Sequence, residues 1–310
     1  MSNAYFLRLL PNNVRRFLFL LPFAGFYLTS CQTSAIKEPL PDMPPSGARL
    51  AACTTPAGTP RGFQVTACGN AVRLFRRNDV FVVEVDLLKN GQCRLIQGSA
   101  DTASAAVPNP QLVRRPLFTN ISGYTSYWNL YAPAAPKLFA VANAQFFSTA
   151  ASPRSDLAFP IKVNNKLIGT GYGSATTYGK RRLEFYGAWA NIVEYPYAST
   201  GLTAVQTDFQ GVVSGIAGIH PINSDFSKNA SVGRTMIGLK DTNQDGKLDR
   251  LLLVCARAAT QQQAWQVLVD FNCVKTIMFD GGGSSQLACR GVSYVASSRT
   301  IPSIFAIYDN

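Results

Sequence analysis

The stretch Thr276-Ile277-Met278-Phe279-Asp280-Gly281-Gly282-Gly283-Ser284-Ser285 constrains the fold more than any other part of the chain. Ile277, Met278 and Phe279 read as the end of a buried strand. A carboxylate follows at once, then three glycines and two hydroxyls. A lone carboxylate at a strand end, next to backbone free to turn sharply, suits a site better than a core. The rival reading is a flexible Gly/Ser linker. Such linkers rarely abut a buried strand. A helix-like run precedes this strand and apolar runs follow it, which places the segment inside a domain.

The first thirty residues read as a targeting signal. Arg8, Arg15 and Arg16 form a basic front, and no acidic residue stands before Cys31. Phe17 to Leu28 is an apolar core of about twelve residues, the length of a signal peptide and short for a transmembrane helix. Leu28-Thr29-Ser30-Cys31 resembles a bacterial lipobox, a signal whose cysteine is lipidated and becomes the new N-terminus. Gln32 follows, unlike the aspartate that retains lipoproteins at the inner membrane. The alternative is an ordinary secreted protein cleaved nearby. Either reading puts the mature chain outside the cytoplasm. The lipobox reading makes it an exported bacterial lipoprotein of the outer membrane or periplasm, anchored through Cys31.

Cysteine usage agrees with export. The seven cysteines are Cys31, Cys53, Cys68, Cys93, Cys255, Cys273 and Cys289. With Cys31 lipidated an even number remains, as expected in an oxidising compartment. Closeness in sequence favours pairs within Cys53, Cys68 and Cys93 and within Cys255, Cys273 and Cys289, although sequence alone selects none of the possible connectivities. The chain has no C-x-x-C and a single histidine, which argues against a zinc site.

Charge narrows the partners. The full chain carries +12, and the first thirty residues supply three positive charges and no negative one, leaving +9 for the rest. A basic exported protein meets phosphoglycans, lipopolysaccharide or acidic headgroups sooner than nucleic acid. A merely solvated basic surface explains the charge almost as well. The oligomeric state is not legible.

The chain falls into three parts. Residues 1–30 are the signal. Residues 31–65, rich in Pro, Ala, Ser, Thr and Gly, read as a flexible tether. Residues 66–310 form the domain. Val80 to Leu87 is a strong strand pattern, and Asn90-Gly91 followed by Cys93 to Ile96 predicts a hairpin. Leu138 to Ala142 is a buried strand ending at Asn143. Asn164-Asn165 predicts a turn between 161–163 and 166–168. Residues 183–185, 191–194 and 202–206 read as short strands, and 235–240 and 248–255 as longer ones. Thr260 to Phe271 predicts the clearest helix, with Thr260 as N-cap, and the strand 275–279 follows. These elements predict one α+β domain around a large mixed β-sheet with few helices.

Five motifs in order carry a resemblance to the phosphodiester glycosidase family, which includes the lysosomal uncovering enzyme and many bacterial proteins. Asp280-Gly281-Gly282-Gly283-Ser284-Ser285 resembles the family's DGGGSS signature. Asn143-Ala144-Gln145-Phe146-Phe147, Ala204-Val205-Gln206-Thr207, Arg234-Thr235-Met236-Ile237-Gly238 and Arg299-Thr300-Ile301-Pro302 resemble its other motifs. The resemblance spans roughly residues 70 to 308. Four positions depart: Gln145 where the family often has Gly, Asp208-Phe209 where Gly-Pro is common, and Ser303 where Asn is common.

The resemblance implies cleavage of a glycosyl phosphodiester through an oxocarbenium-like state. That chemistry needs a carboxylate near the anomeric carbon and cationic or N–H donors for phosphate. Asp280 is the expected carboxylate, as nucleophile or general base. Gly281, Gly282 and Gly283 offer N–H donors of the kind backbone nests use, and Ser284 and Ser285 offer hydroxyls. Arg234 is expected as a phosphate clamp, Arg299 as a second one, and Asn143, Gln206 and Thr235 as further substrate-binding groups. Each arginine alone fits a surface ion pair equally well. His220, the one histidine, is a candidate general acid, with local loop packing as the plain alternative.

Asp241, Asn243, Asp245 and Asp249 have the spacing of a calcium loop, with Gly246 at the sixth position. Leu252 stands where an EF-hand has glutamate, and a polar hairpin turn is the alternative. Calcium would be structural, and no other cofactor is expected. The sequence therefore predicts an exported hydrolase acting on a carbohydrate or phosphoglycan. The rival is a non-catalytic lipoprotein that binds an anionic glycan.

Overall fold

The computed structural model describes residues 53–100, 109–135, 137–148, 153–172, 179–195, 202–224 and 227–310. The described residues belong to one compact unit within Pro45–Asn310. The signal segment and Cys31 lie outside the described residues.

A meander opens the domain: β1 (Gln64–Cys68), β2 (Val72–Arg77) and β3 (Val80–Asp86). Then come β4 (Gln92–Gln97), β5 (Leu112–Val113), the short helix α1 (Tyr127–Tyr131) and β6 (Leu138–Asn143). The middle of the chain forms β7 (Arg154–Ser155), β8 (Ile161–Val163), β9 (Lys166–Gly169), β10 (Lys180–Phe185), β11 (Ala190–Glu194) and α2 (Leu202–Asp208). The last third forms β12 (Ser214–Ile219), β13 (Val232–Lys240), β14 (Arg250–Ala259), α3 (Gln261–Asp270), β15 (Lys275–Phe279), a 3₁₀ turn (Gly282–Ser284), β16 (Leu287–Cys289), β17 (Val292–Val295) and β18 (Ser303–Tyr308).

Two sheets result, with a two-stranded β5–β7 ladder beside them. The larger runs β1-β2-β3-β14-β13-β15-β12-β10-β11, with β8 and β9 attached to β12. The smaller runs β17-β16-β6-β18-β4. The α+β expectation holds, and the described ladders pair antiparallel, where a mixed sheet was expected.

Strand β14 shows why its sequence reads as an unbroken apolar run. Leu251, Leu253 and Cys255 enter the core between the two sheets, with Ile277 and Phe279 from β15 and Phe139, Leu287 and Phe305 from the small sheet. Leu252, Val254 and Ala256 enter a second core against Ala264, Val267 and Leu268 of α3. Both faces of the strand are covered, so period-2 alternation disappears. A third core lies on the outer face of the small sheet, under Leu117 and Tyr127. Helix α3 starts as predicted: the Thr260 hydroxyl accepts from Gln263 N at 3.2 Å, and Gln263 Oε1 accepts from Thr260 N at 2.9 Å.

Four expectations need correction. Residues 202–206 form helix α2 rather than a strand; Val205 packs inward while Gln206 is exposed. The turn at Asn90-Gly91 joins no hairpin. It carries the chain from β3 in the large sheet to β4 in the small one, with Asn90 at φ 62°. The ordered fold begins before residue 66, because Cys53 is bonded to Cys68 and Phe63 packs in the second core. The expected pairing among the last three cysteines is absent: Cys255 and Cys289 lie in the inter-sheet core, while Cys273 packs with the helix-side core. Cys93 is also free.

Candidate functional site

The site forms where β15 of the large sheet ends beside β6 of the small sheet. Asp280 N donates to Ala144 O at 3.1 Å, and Asn143 Nδ2 donates to Asp280 O at 2.7 Å. Asn143 Oδ1 accepts from Thr235 Oγ1 at 2.8 Å and from Gln286 N at 3.0 Å. One amide thus ties β6, β13, β15 and the lead into β16 together. Asn143 and Thr235 are buried, with 1% and 0% of their surfaces exposed. Their bonds hold the frame under Asp280, in place of the substrate contacts expected of them.

Asp280 is partly buried at the strand end. Desolvation pushes its carboxyl up to about 6, while hydrogen bonds from Ser284 and the Gly281 N–H and the charge of Arg299 pull it down. Gly281 N lies 2.9 Å from Asp280 Oδ1. Tyr172 is half-exposed, and desolvation first, then the charges of Asp280 and Asp156, pushes its phenol up.

Each glycine of the run has its own reason. A Cβ on Gly281 would sit 2.8 Å from Gly233 O, so β13 and the turn touch backbone to backbone. Gly282 takes φ 58°, a conformation disfavoured for other residues. A Cβ on Gly283 would lie 3.2 Å from Arg299 Cζ, so the guanidinium lies against bare backbone. Arg299 Nη1 donates to Ser284 Oγ at 3.2 Å. The N–H groups of Gly281, Ser284 and Ser285 are used inside the turn, which narrows the expected nest to Gly282 and Gly283. Ser285 is buried, and its hydroxyl lies 3.5 Å from Thr235 Oγ1.

Other predicted residues go elsewhere. Arg234 is buried, and its donors reach the carbonyls of Ala259 at 3.0 Å, Ser227 and Ala230. It anchors the loop before β13, so its expected role as a phosphate clamp gives way to a framework role. His220 sits at the far end of the register: Ile219 pairs with Met278, which sets His220 three residues, about 10 Å, from Asp280 along the strands. Its Nδ1 accepts from Ile222 N and Asn223 N, both at 3.1 Å. Burial, aided by Arg181, lowers its proton affinity. A neutral ring with a bonded Nδ1 is no ready general acid for Asp280. Gln206 points to solvent on α2.

In the acidic loop the carboxylates cap backbone. Asp241 accepts from Gln244 N and Gly246 N at 2.7 and 2.8 Å, Asp245 from Lys247 N at 2.8 Å, and Asp249 from the Thr242 hydroxyl at 2.7 Å. Asn243 Oδ1 accepts from Asp245 N. Among the described residues no group of three or more His, Cys, Asp or Glu is placed to hold a metal ion. These bonds are those of the polar-turn reading.

Sequence reasoning missed Tyr172 and Arg114. Arg114 is buried, with its guanidinium 5.9 Å from the Phe147 ring, and burial first, then the charge of Arg299, lowers its proton affinity. The Arg114-Arg115-Pro116 step was a visible basic signal. Two of the family departures touch: Gln145 N donates to Ser303 Oγ at 3.1 Å, and Gln145 Nε2 bridges to Phe159 O and Ala217 O at 3.2 and 2.8 Å.

Fold and site define a two-sheet β protein with a carboxylate and a glycine turn where the sheets meet. The phosphodiester glycosidase family model matches residues 136–308, more than half of the chain, and the chain belongs to that family. Its structure is similar to the catalytic domain of zebrafish N-acetylglucosamine-1-phosphodiester alpha-N-acetylglucosaminidase auto-inhibited by its pro-peptide. That match has 17% identity and a TM-score of 0.50, and covers 80% of this chain and 82% of that one. A hypothetical protein from Synechocystis matches at 10% identity and a TM-score of 0.45, over 80% of this chain and 61% of that one. At 17% identity the likeness to the zebrafish domain is one of fold. No curated protein matches the sequence significantly.

Proposed function

We propose that the chain is an exported hydrolase that splits a glycosyl phosphodiester, a sugar-1-phosphate ester in a cell-envelope or extracellular glycan. One arrangement carries this reading: Ser284 links the Asp280 carboxylate to the Arg299 guanidinium, which lies flat against Gly283. A carboxylate for the anomeric carbon and a cation for the departing phosphate stand side by side. In the reaction the bond from anomeric carbon to phosphate oxygen breaks, and its electron pair leaves with the phosphate. Ionised Asp280 either bonds to that carbon first or takes a proton from the attacking water. A phosphate is an acidic leaving group, so the absence of His220 from the cleft removes nothing essential.

Export rests on the basic and apolar N-terminus and the lipobox at Cys31. The Cys53–Cys68 disulfide supports it, since such bonds persist in oxidising compartments. Among the described residues no helix is long and apolar enough to cross a membrane.

The test offers the purified protein a panel of glycosyl phosphodiesters and UDP-sugars, with Asp280→Asn as control. Sugar release by wild type alone is the expected result. Equal release by both proteins would remove Asp280 from the chemistry. Fractionation of cells making wild type or Cys31→Ser tests the anchor: the variant leaves the membrane fraction.

A further inference from the structure

The two sheets differ in charge. Residues 87–100, 102–155 and 281–308 contain no Asp or Glu, and they hold two, four and two Lys or Arg respectively. These runs supply all five strands of the small sheet and the layer over its outer face. Every acidic side chain on a described strand belongs to the large sheet instead: Glu84 and Asp86 of β3, Glu184 of β10 and Glu194 of β11. Arg94 and Lys137 are exposed and Arg115 is partly so. None of the three takes part in an ion pair among the described residues.

The layer over the small sheet is aromatic. Phe118, Trp128, Tyr131 and Tyr308 pack on the third core and stay partly uncovered. The Phe118 and Trp128 rings lie 5.9 Å apart, and the Arg94 guanidinium stands 4.8 Å from the Tyr308 ring. Ile121 and Leu130 carry apolar surface outward, 44% and 40% exposed. They are held near each other: Asn120 Oδ1 accepts from Asn129 Nδ2 at 2.9 Å and from Ser126 N at 2.8 Å, which ties the loop at Ile121 to α1. Tyr and Trp rings have an apolar body and a polar tip, and with cations around them and no anion they match the headgroup region of an anionic bilayer. A soluble polyanion would use the cations and leave Ile121 and Leu130 in water.

The described fold also begins beside the small sheet. Cys68, bonded to Cys53, accepts at its carbonyl from Arg290 Nη2 at 2.8 Å, just after β16. Asn70 N and Ala71 N donate to the Asp309 carboxylate, just after β18, at 2.9 and 2.8 Å. We propose that the outer layer of the small sheet, residues 118–131 with Arg94, Arg115 and Lys137, docks on an anionic lipid bilayer. Docking of this kind orients a tethered domain and does not replace its anchor, because one weak signal binds reversibly, so Cys31→Ser still leaves washed membranes. The large sheet and α3 then face away from the lipid. The inference goes beyond the hydrolase reading and does not depend on it.

Tryptophan emission tests this without turnover. Protein purified from cells is mixed with vesicles of brominated phosphatidylcholine, alone or with phosphatidylglycerol; bromine quenches a tryptophan that reaches the headgroup boundary. Trp128 is one of three tryptophans, so the anionic vesicles are expected to remove up to about a third of the emission. The neutral vesicles should remove far less, and high salt should restore the difference. Trp128→Phe should abolish the loss. Leu130→Glu and the charge reversal Arg94→Glu/Lys137→Glu should each abolish it too, while Val274→Glu, at a 68%-exposed site beside β15 in the large sheet, should leave it unchanged. Equal quenching by both vesicle types, or quenching that persists in Trp128→Phe, would overturn the docking face. Quenching lost in the charge reversal but kept in Leu130→Glu would mark a site for soluble polyanions and overturn lipid docking.

Discussion

At the scale of single residues, the chemistry turns on how strongly the cleft opposes ionisation of Asp280. Its carboxyl is raised from 3.8 to about 6, so catalysis by the ionised form rises with pH through about 6. Arg299 and Ser284 both favour the charged form. Removing either, as Arg299→Gln or Ser284→Ala, should move the acid limb of kcat/KM to higher pH. A limb that stays in place in both variants would separate it from Asp280. Stability carries the opposite sign. The folded value lies above the ordinary one, so native Asp280 holds its proton more tightly than the unfolded chain does. It therefore erodes stability as pH rises from 3.8 towards 6, and fully above that. Asp280→Asn cannot ionise. It should melt higher than wild type at pH 8 while losing activity by roughly 10²–10⁴-fold. Lower stability together with lost activity would mark Asp280 as a framework residue. Asp280 was legible because a charge at the end of an apolar strand has few structural uses. Arg234 was legible as important but not in its role, because sequence does not show that the carbonyls of Ser227, Ala230 and Ala259 converge on it.

At the scale of elements, local signals were legible and partners were not. Helix α3 and strand β15 follow from apolar spacing and from Thr260. Helix α2 was misread because seven residues with only Val205 buried carry too little periodicity. The Asn90-Gly91 turn was read correctly as a turn and wrongly as a hairpin, since nothing local shows that β4 changes sheets. Asn143 has the same character: its place at a strand end is visible, but its three bonds to other elements are not. Those bonds make a prediction. Asn143→Ala leaves the Thr235 hydroxyl and the Gln286 N–H without their partner in a buried setting, at about 1–3 kcal/mol for each group. It also frees the Asp280 carbonyl, so kcat should fall together with the denaturation midpoint. Thr260→Ala is the contrast. Loss of the α3 cap should cost about 1 kcal/mol and leave kcat unchanged, because the cap touches no part of the site. Chemical denaturation with parallel kinetics separates the two, and an active Asn143→Ala would disconnect the cross-sheet ties from catalysis.

At the scale of the whole molecule, the cleft exists because two sheets end at one place, a property of topology that no single segment contains. Arg114 and Tyr172 escaped the sequence reading for that reason: each stands far in sequence from the charge, Arg299 or Asp280, that acts on it. Cysteine placement is likewise a matter of topology, and it yields a test of the domain and of its processing together. Cys53–Cys68 fastens the start of the fold to edge strand β1, five strand spacings or about 24 Å from β15. The bond closes a separation of 15 residues, which corresponds to roughly 3 kcal/mol of stability. The Cys53→Ser/Cys68→Ser variant should therefore unfold at lower denaturant concentration yet keep kcat at 25 °C. Cys93, Cys255 and Cys289 are buried free thiols whose proton affinity burial raises, and Cys273 is raised to about 12. In the native protein these thiols should react slowly with a disulfide reagent. In denaturant, protein taken from membranes should show four free thiols if the proposed lipid occupies Cys31, because Cys53 and Cys68 are bonded to each other. Cys31→Ser should show the same four while losing the membrane. A fifth thiol in the wild-type protein would mean that Cys31 is unmodified, and two fewer would mean a second disulfide between cysteines that are free in this structure.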